Sequence, residues 1–124
     1  MPYNPATGFA WLLSTDFVIK TTVYTTPAHT ACVDASLYDG LTFNMRTGAP
    51  TGAVVITKAL AAGITITGTF NSDPAINTQL VNIAIAAADQ SGLAPGPYFW
   101  TLERSDSAGS IALFAGTAVA NAAP

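Results

Sequence analysis

The sequence predicts an all-β protein in which two antiparallel sheets pack face to face as a β-sandwich. Apolar and polar residues alternate with a period of two along most of the chain, as strands with one buried face require. Turn-forming residues separate these runs at short intervals, so about eight strands are expected. The one helical pattern is short and lies near residues 86–91. A closed barrel is the structural alternative.

The strands before the helical turn are predicted from β-branched or alternating segments. In LTFNMRT, Leu41, Phe43 and Met45 point to one face of the predicted strand, and Thr42, Asn44 and Arg46 point to the other. Pro27 ends the first long run, because proline cannot donate to a strand ladder. The predicted runs are 16–26, 29–37, 41–47, 53–60, 63–70 and 80–86.

The segment LAPGPYFW predicts a corner between the helical turn and the next strand. Tyr98 begins that strand, and its hydroxyl is expected to return to the backbone a few residues upstream, as in a tyrosine corner. Trp100 and Leu102 share the inward face with it. A hairpin over 97–120 ends the domain. The chain is therefore divided into 1–13 (an arm or an extra edge strand), 14–120 (the sandwich) and 121–124 (a frayed tail).

Charge is scarce in this sequence. Charged residues make up 9% of 124 residues, against about 25% in an average soluble domain. A surface this neutral is poorly protected against association, so much of it is expected to be covered by partner chains. The four basic residues, Lys20, Arg46, Lys58 and Arg104, are scattered. This distribution argues against binding to nucleic acid or to an anionic membrane surface.

The residues that could carry chemistry do not form a recognisable set. Cys32 is the single cysteine and follows His29 by three positions, so on a strand their side chains point to opposite faces. We expect Cys32 to be a buried, unreactive thiol. No catalytic residue, cofactor or metal site is predicted, although two calcium-binding pairs remain open, Asp34 with Asp39 and Asp73 with Asp106.

The N-terminus lacks the pattern of a signal peptide, and no apolar run approaches the length of a membrane span. These features predict synthesis in a cytoplasm. Glu103 and Arg104 are adjacent opposite charges on a predicted strand, so they should face opposite sides of the sheet. Each is expected to contact a cross-strand residue or another chain.

Apolar residues are the remaining candidates for a functional surface. The cluster near the N-terminus either forms an extra edge strand or docks on a neighbouring subunit, and two phenylalanines of the final hairpin are expected to face outward. The predicted interface residues are Phe9, Trp11, Leu12, Leu13, Phe99 and Phe114.

The order of these segments resembles a known family. DFVIKTTVYTT, ASLYDGLTFNMRT, VVITKALAAGITITGT and the run from LVNIAIAAADQSGLAPGPYFWTLERSD to the last strand follow one another along residues 14–120. This succession is similar to the immunoglobulin-like β-sandwich at the N-terminus of phage upper-baseplate proteins and in related small tail and virion modules. The part from Ile83 to Leu102 is the most specific. The loop at 70–79 is longer than in the family, and residues 1–13 have no counterpart there.

The resemblance implies an immunoglobulin-like antiparallel β-sandwich and a non-enzymatic virion structural protein of the tail, baseplate, neck or capsid decoration. It would be made in the host cytoplasm, form homo-oligomers, and bind other virion structural proteins without a cofactor. The alternative is a carbohydrate-binding or host-adhesion module that uses Trp11, Trp100 or Tyr24 as stacking platforms.

Overall fold

The computed structural model describes residues 8–25, 30–106 and 109–122, which form a mixed sheet of eight strands and two short 3-10 turns. The predicted all-β class is confirmed. The strands are β1 (Gly8–Leu12), β2 (Phe17–Thr21), β3 (Gly40–Thr47), β4 (Val54–Leu60), β5 (Gly63–Thr67), β6 (Leu80–Ile85), β7 (Gly96–Asp106) and β8 (Gly109–Asn121). The 3-10 turns are Ala35–Leu37 and Ala87–Gln90.

The strand order is β1-β8-β7-β3-β4-β5-β6-β2, so the first two strands of the chain lie at the two ends of the sheet. The sheet curls like half of a barrel and brings these ends close together. The ring centroids of Trp11 and Phe17 are 5.5 Å apart, and those of Phe9 and Phe17 are 5.9 Å apart. β1 pairs with β8 in parallel, whereas β7 and β8 form the long antiparallel hairpin that the sequence predicts.

The inward face of the curled sheet holds the core. Nine apolar side chains of β3, β6 and β7 are buried on this face, which confirms the core face predicted for β7. Each such side chain contributes about 1.5–3 kcal/mol by leaving water. These residues are Leu41, Phe43, Met45, Val81, Ile83, Ile85, Tyr98, Trp100 and Leu102.

The final hairpin places small side chains opposite large ones on its inward face. Tyr98 lies across from Ala118, and Trp100 lies across from Gly116. Because Ala118 and Gly116 are small, the two aromatic rings fit against β8. Close packing of this kind maintains the density of a protein interior. Leu102 then faces Phe114, which is 1% exposed.

The predicted strand at 29–37 is wrong for its second half. The segment contains an isolated bridge between Tyr24 and Cys32 and then the 3-10 turn Ala35–Leu37. Side-chain oxygens, rather than a neighbouring strand, accept the backbone hydrogen bonds of this segment. The N–H of Ser36 donates to Asp34 Oδ1 at 3.0 Å, and the N–H of Ala35 donates to Gln79 Oε1 at 2.9 Å. Residues 26–29, which include His29, lie outside the described residues.

The chain turns sharply between β4 and β5. Ala61 and Gly63 both have positive φ angles, 66° and 105°. A side chain at Gly63 would place its Cβ 2.5 Å from Cδ of Lys58, so glycine is required both by the backbone conformation and by this contact. The two strands share only two ladder positions, Ala59 with Gly63 and Leu60 with Ile64, both next to the turn.

The predicted tyrosine corner is confirmed. The side chain of Tyr98 is buried, and its hydroxyl donates to the carbonyl oxygen of Ala94 at 2.7 Å. This bond fixes the corner before β7 at the start of the strand. The corner therefore has a fixed geometry where the longest hairpin of the sheet begins.

We expect Tyr98→Phe to lower the free energy of unfolding by about 1 kcal/mol, because it removes this hydrogen bond and keeps the ring. Urea denaturation should show a lower midpoint with an unchanged slope. Thr117→Val is the control, since it removes an exposed hydroxyl from the neighbouring strand β8. Equal stability of the two variants would contradict the role assigned to the corner.

Candidate functional site

An exposed apolar surface lies on the outer face of β1, β8 and β7. Leu12 and Val119 are 44% and 45% exposed. Ala10 is the ladder partner of Val119, and Phe99, one strand further along, is half-buried and paired with Thr117. We call Ala10, Leu12, Phe99 and Val119 the outer patch. It points away from the core, because the intervening residues of these strands point inward.

The surroundings of the outer patch are mostly uncharged. Asn121 pairs with Leu12, and Thr117, the ladder partner of Phe99, lies two residues from Val119 on the same face of β8. Arg46 is across from Phe99 on β3, and its guanidinium donates to the carbonyl oxygen of Gly52 at 3.2 Å. An apolar centre with a polar rim is the organisation of protein interfaces.

The predicted interface residues divide between the surface and the core. Leu12 and Phe99 both belong to the outer patch. The expectation that Phe114 faces outward is wrong, because it shares its face with Ala118 and Ala120 and packs opposite Leu102. Trp11 and Leu13 are also buried in this chain's own core, so they are not available to a neighbour. Phe9 is half-buried and faces the gap between the two end strands.

The burial of Trp11 depends on Gln90, a residue that the sequence analysis placed only in a helical turn. Trp11 Nε1 donates to Gln90 Oε1 at 3.0 Å, and the same oxygen accepts the backbone N–H of Ser14 at 2.8 Å. Gln90 Nε2 donates to the carbonyl oxygen of Thr15 at 2.7 Å. The turn between β1 and β2 is therefore attached to the second 3-10 turn.

A cavity of about 350 Å³ separates β1 from β2. Phe9 and all five residues of β2 line it, and Trp100 and Phe114 lie at its base. Trp100 Nε1 is buried and has no hydrogen-bond partner among the described residues. Lys20 contributes the one charged side chain of the lining.

Neither tryptophan provides an exposed platform for stacking a sugar. Trp11 and Trp100 are 6% and 4% exposed, and Tyr24 is half-buried in its bridge with Cys32. The alternative function depended on exposed aromatic rings beside polar groups, and the described part of the chain does not present the two tryptophans in that way.

The charged groups near β2 serve the fold. Lys58 Nζ lies 2.7 Å from Asp89 Oδ2, and that carboxylate also accepts the N–H of Ala86 at 2.7 Å. Asp16 Oδ1 accepts the N–H of Ala87 at 2.7 Å. Asp16, Lys58 and Asp89 line a depression of about 470 Å³. Their bonds to each other and to the second 3-10 turn hold that turn against β2 and β4.

Hydrogen bonds lower the pKa of two carboxyl groups. For Asp89 the bond from Lys58 is the largest cause, followed by the bond from Ala86. For Asp34 the bonds from Ser36 and Gln79 are the largest causes. Burial, and then the charge of Asp73, raises the pKa of the Cys32 thiol, and the prediction that this side chain is buried is confirmed.

Arg104 finds a partner within its own chain. Its guanidinium lies over the ring of Tyr38, 5.2 Å from the centroid, which is a cation–π distance. Glu103 occupies a ladder position opposite Thr42. The adjacent charges of β7 are thus accommodated separately, and Arg104 helps attach the first 3-10 turn to the hairpin.

The remaining candidate ligands do not assemble. Across residues 8–25, 30–106 and 109–122, no group of three or more His, Cys, Asp or Glu side chains is arranged to hold a metal ion. Within the same ranges, no helix has the length and apolar character needed to cross a bilayer.

Comparison with known proteins adds no family assignment. No protein-family model matches the chain, and no curated protein matches its sequence. Function must therefore be argued from the residues themselves.

Stability should decrease in acid through Asp89. A carboxyl group whose folded pKa is lowered stabilises the fold above its unfolded pKa, and this stabilisation is lost as the pH falls through the folded value. We expect Asp89→Asn to cost about 1 kcal/mol near pH 7 and less below pH ~4. Unfolding measured at several pH values tests this.

Asp39→Asn is the control for the acid measurement, because Asp39 is in an exposed turn outside these networks. It should leave the pH profile close to that of the original chain. If Asp89→Asn destabilises the protein equally at pH 7 and in acid, the ion pair with Lys58 is not the cause.

Proposed function

We propose that this protein is a non-enzymatic bacteriophage virion structural protein with an immunoglobulin-like antiparallel β-sandwich. It acts by assembling with copies of itself and with other virion proteins. The observation that carries this proposal is the outer patch on a chain with very little charge. Large apolar side chains at an exposed sheet face commonly mark protein interaction sites.

The immunoglobulin-like description draws its support from the weak link between β4 and β5. With only two ladder positions there, the single sheet is weakest between β4 and β5, and the proposed sandwich would divide at that point into β1-β8-β7-β3-β4 and β5-β6-β2. The tyrosine corner before β7 supports the same description, because it is a recurrent feature of such sandwiches.

The virion context draws its support from the resemblance over residues 14–120 and from the composition. Only 9% of the residues are charged, so water covers this surface less favourably than it covers an average domain. In an assembled particle, neighbouring subunits cover such a surface permanently. No residue is assigned a catalytic role.

Mass spectrometry of particles purified from the phage or prophage that encodes the chain tests the virion assignment. The protein should be present in stoichiometric amounts relative to other structural proteins. Its absence from particles, when it is made in infected cells, would exclude this function.

A double change in the outer patch, Leu12→Glu with Val119→Glu, should reduce incorporation into particles at least about tenfold, because it buries two unpaired carboxylates in the contact. Complementation of a deletion followed by quantitation of particle-bound protein measures this. Ile76→Glu is the matched control, since Ile76 is 60% exposed in a loop away from the patch. Equal loss for the control would show that the patch is not the docking surface.

A further inference from the structure

The cavity between β1 and β2 combines an apolar wall with two polar groups that have no partner among the described residues. Its volume is about 350 Å³, which lies at the lower end of the range for small-molecule sites. Most of the lining is aromatic or aliphatic, and it comes from four strands. The apolar residues that matter here are Phe9 of β1, Phe17 and Ile19 of β2, Trp100 of β7 and Phe114 of β8.

The cavity exists because β1 and β2 lie close together without forming a ladder. Each strand pairs on one side only, β1 with β8 and β2 with β6. Between them, the rings of Phe9 and Trp11 pack on Phe17, with centroids 5.9 and 5.5 Å from that of Phe17. Side-chain packing therefore joins the two strands, and a space remains beside Ile19 and Lys20.

The base of the cavity carries a buried hydrogen-bond donor. Trp100 is 4% exposed, and its Nε1 has no acceptor among the described residues. A buried indole N–H normally has a partner, because leaving it unpaired costs free energy. Trp11 has such a partner, since its Nε1 donates to Gln90. A molecule inside the cavity can supply the acceptor that Trp100 lacks.

The mouth of the cavity carries a positive charge. Lys20 is exposed, contributes to the lining, and makes no ion pair within the described part of the chain. The acidic residues near β2, Asp16 and Asp89, line a different depression and accept backbone hydrogen bonds at the second 3-10 turn. An anionic group at the mouth therefore meets the one charged side chain of the lining, and this complementarity favours a negatively charged ligand.

We propose that this cavity binds a small apolar carboxylate that carries a second hydrogen-bond acceptor at its far end. The carboxylate lies at the mouth against Lys20, the apolar body displaces water from the aromatic lining, and the inner acceptor receives the N–H of Trp100. Because the space is small and the turn at residues 13–16 joins the strands at one end, a small molecule fits it better than a polypeptide segment. The site goes beyond the proposed assembly role.

Three compounds of equal carbon number test the polar contacts by calorimetric titration of the full chain. The first, called the keto acid, is octanoate with a ketone next to its terminal methyl group. The second is octanoate, and the third is the methyl ketone that lacks the carboxylate. The keto acid should bind at least about tenfold more tightly than octanoate, because it satisfies the buried N–H. It should bind about fivefold more tightly than the methyl ketone, since the contact with Lys20 is exposed.

Substitutions assign these two preferences to their residues. In Trp100→Phe, the preference for the keto acid over octanoate should disappear, because a phenyl ring has no N–H. In Lys20→Met, the preference for the keto acid over the methyl ketone should disappear, whereas Lys20→Arg should retain it. Each readout is a ratio between two compounds, so a general change in the size of the cavity affects both compounds. Circular dichroism verifies that each variant is folded.

Filling the cavity gives an independent readout. Ile19→Phe should weaken binding of the keto acid at least about tenfold, because the larger ring occupies the space of the apolar body. Val54→Phe is the matched control, since Val54 is 44% exposed on β4 and does not contribute to the lining. It should bind the keto acid as tightly as the original chain does.

Several results would overturn the site. Absence of binding by all three compounds at millimolar concentration would do so, as would equal affinities for the three or an equal loss in Ile19→Phe and Val54→Phe. Absence of one preference in the original chain would overturn the contact assigned to it. Should Trp100→Phe not fold, the comparison of the keto acid with octanoate on the original chain decides whether the N–H is used. Particle incorporation is measured separately, so failure of the site leaves the assembly role standing.

Discussion

A single buried amide, that of Gln90, joins the two ends of the sheet. It accepts hydrogen bonds from the indole of Trp11 and the backbone of Ser14, and it donates to the carbonyl oxygens of Thr15 and Ala86. Buried polar groups of this kind must all be satisfied, so the turn between β1 and β2 has one stable position. The curl of the sheet, the burial of Trp11 and the gap between β1 and β2 all depend on that position.

The placement of the chain's first two strands at opposite ends of the sheet produces two different surfaces. β1 contributes Leu12 to the outer patch, next to Val119 of β8. β2, at the other end of the sheet, exposes Val18 and Lys20. The two surfaces involve different strands and different chemistry, because the first is apolar and the second includes the charged side chain of Lys20.

Local periodicity predicted which residues of β3 and of β7 share a face, because each strand buries alternate residues, as Met45 and Tyr98 show. The same periodicity did not predict correctly which face of β8 the side chain of Phe114 occupies. Its face is determined by which residues lie across the hairpin, and the ladder shifts register there, between Leu102 and Glu103. Gln90 and the strand order depend on contacts between residues far apart in the chain, which no short sequence pattern encodes.

Because charged residues are scarce in this sequence, each one that lies on an end strand of the sheet has a larger effect on how that strand could pair with another strand. β1 carries no charged residue, so nothing on that strand would distinguish one register of association from another. Lys20 on β2 instead disfavours any register that would place it opposite another basic side chain, as lysines on natural edge strands do.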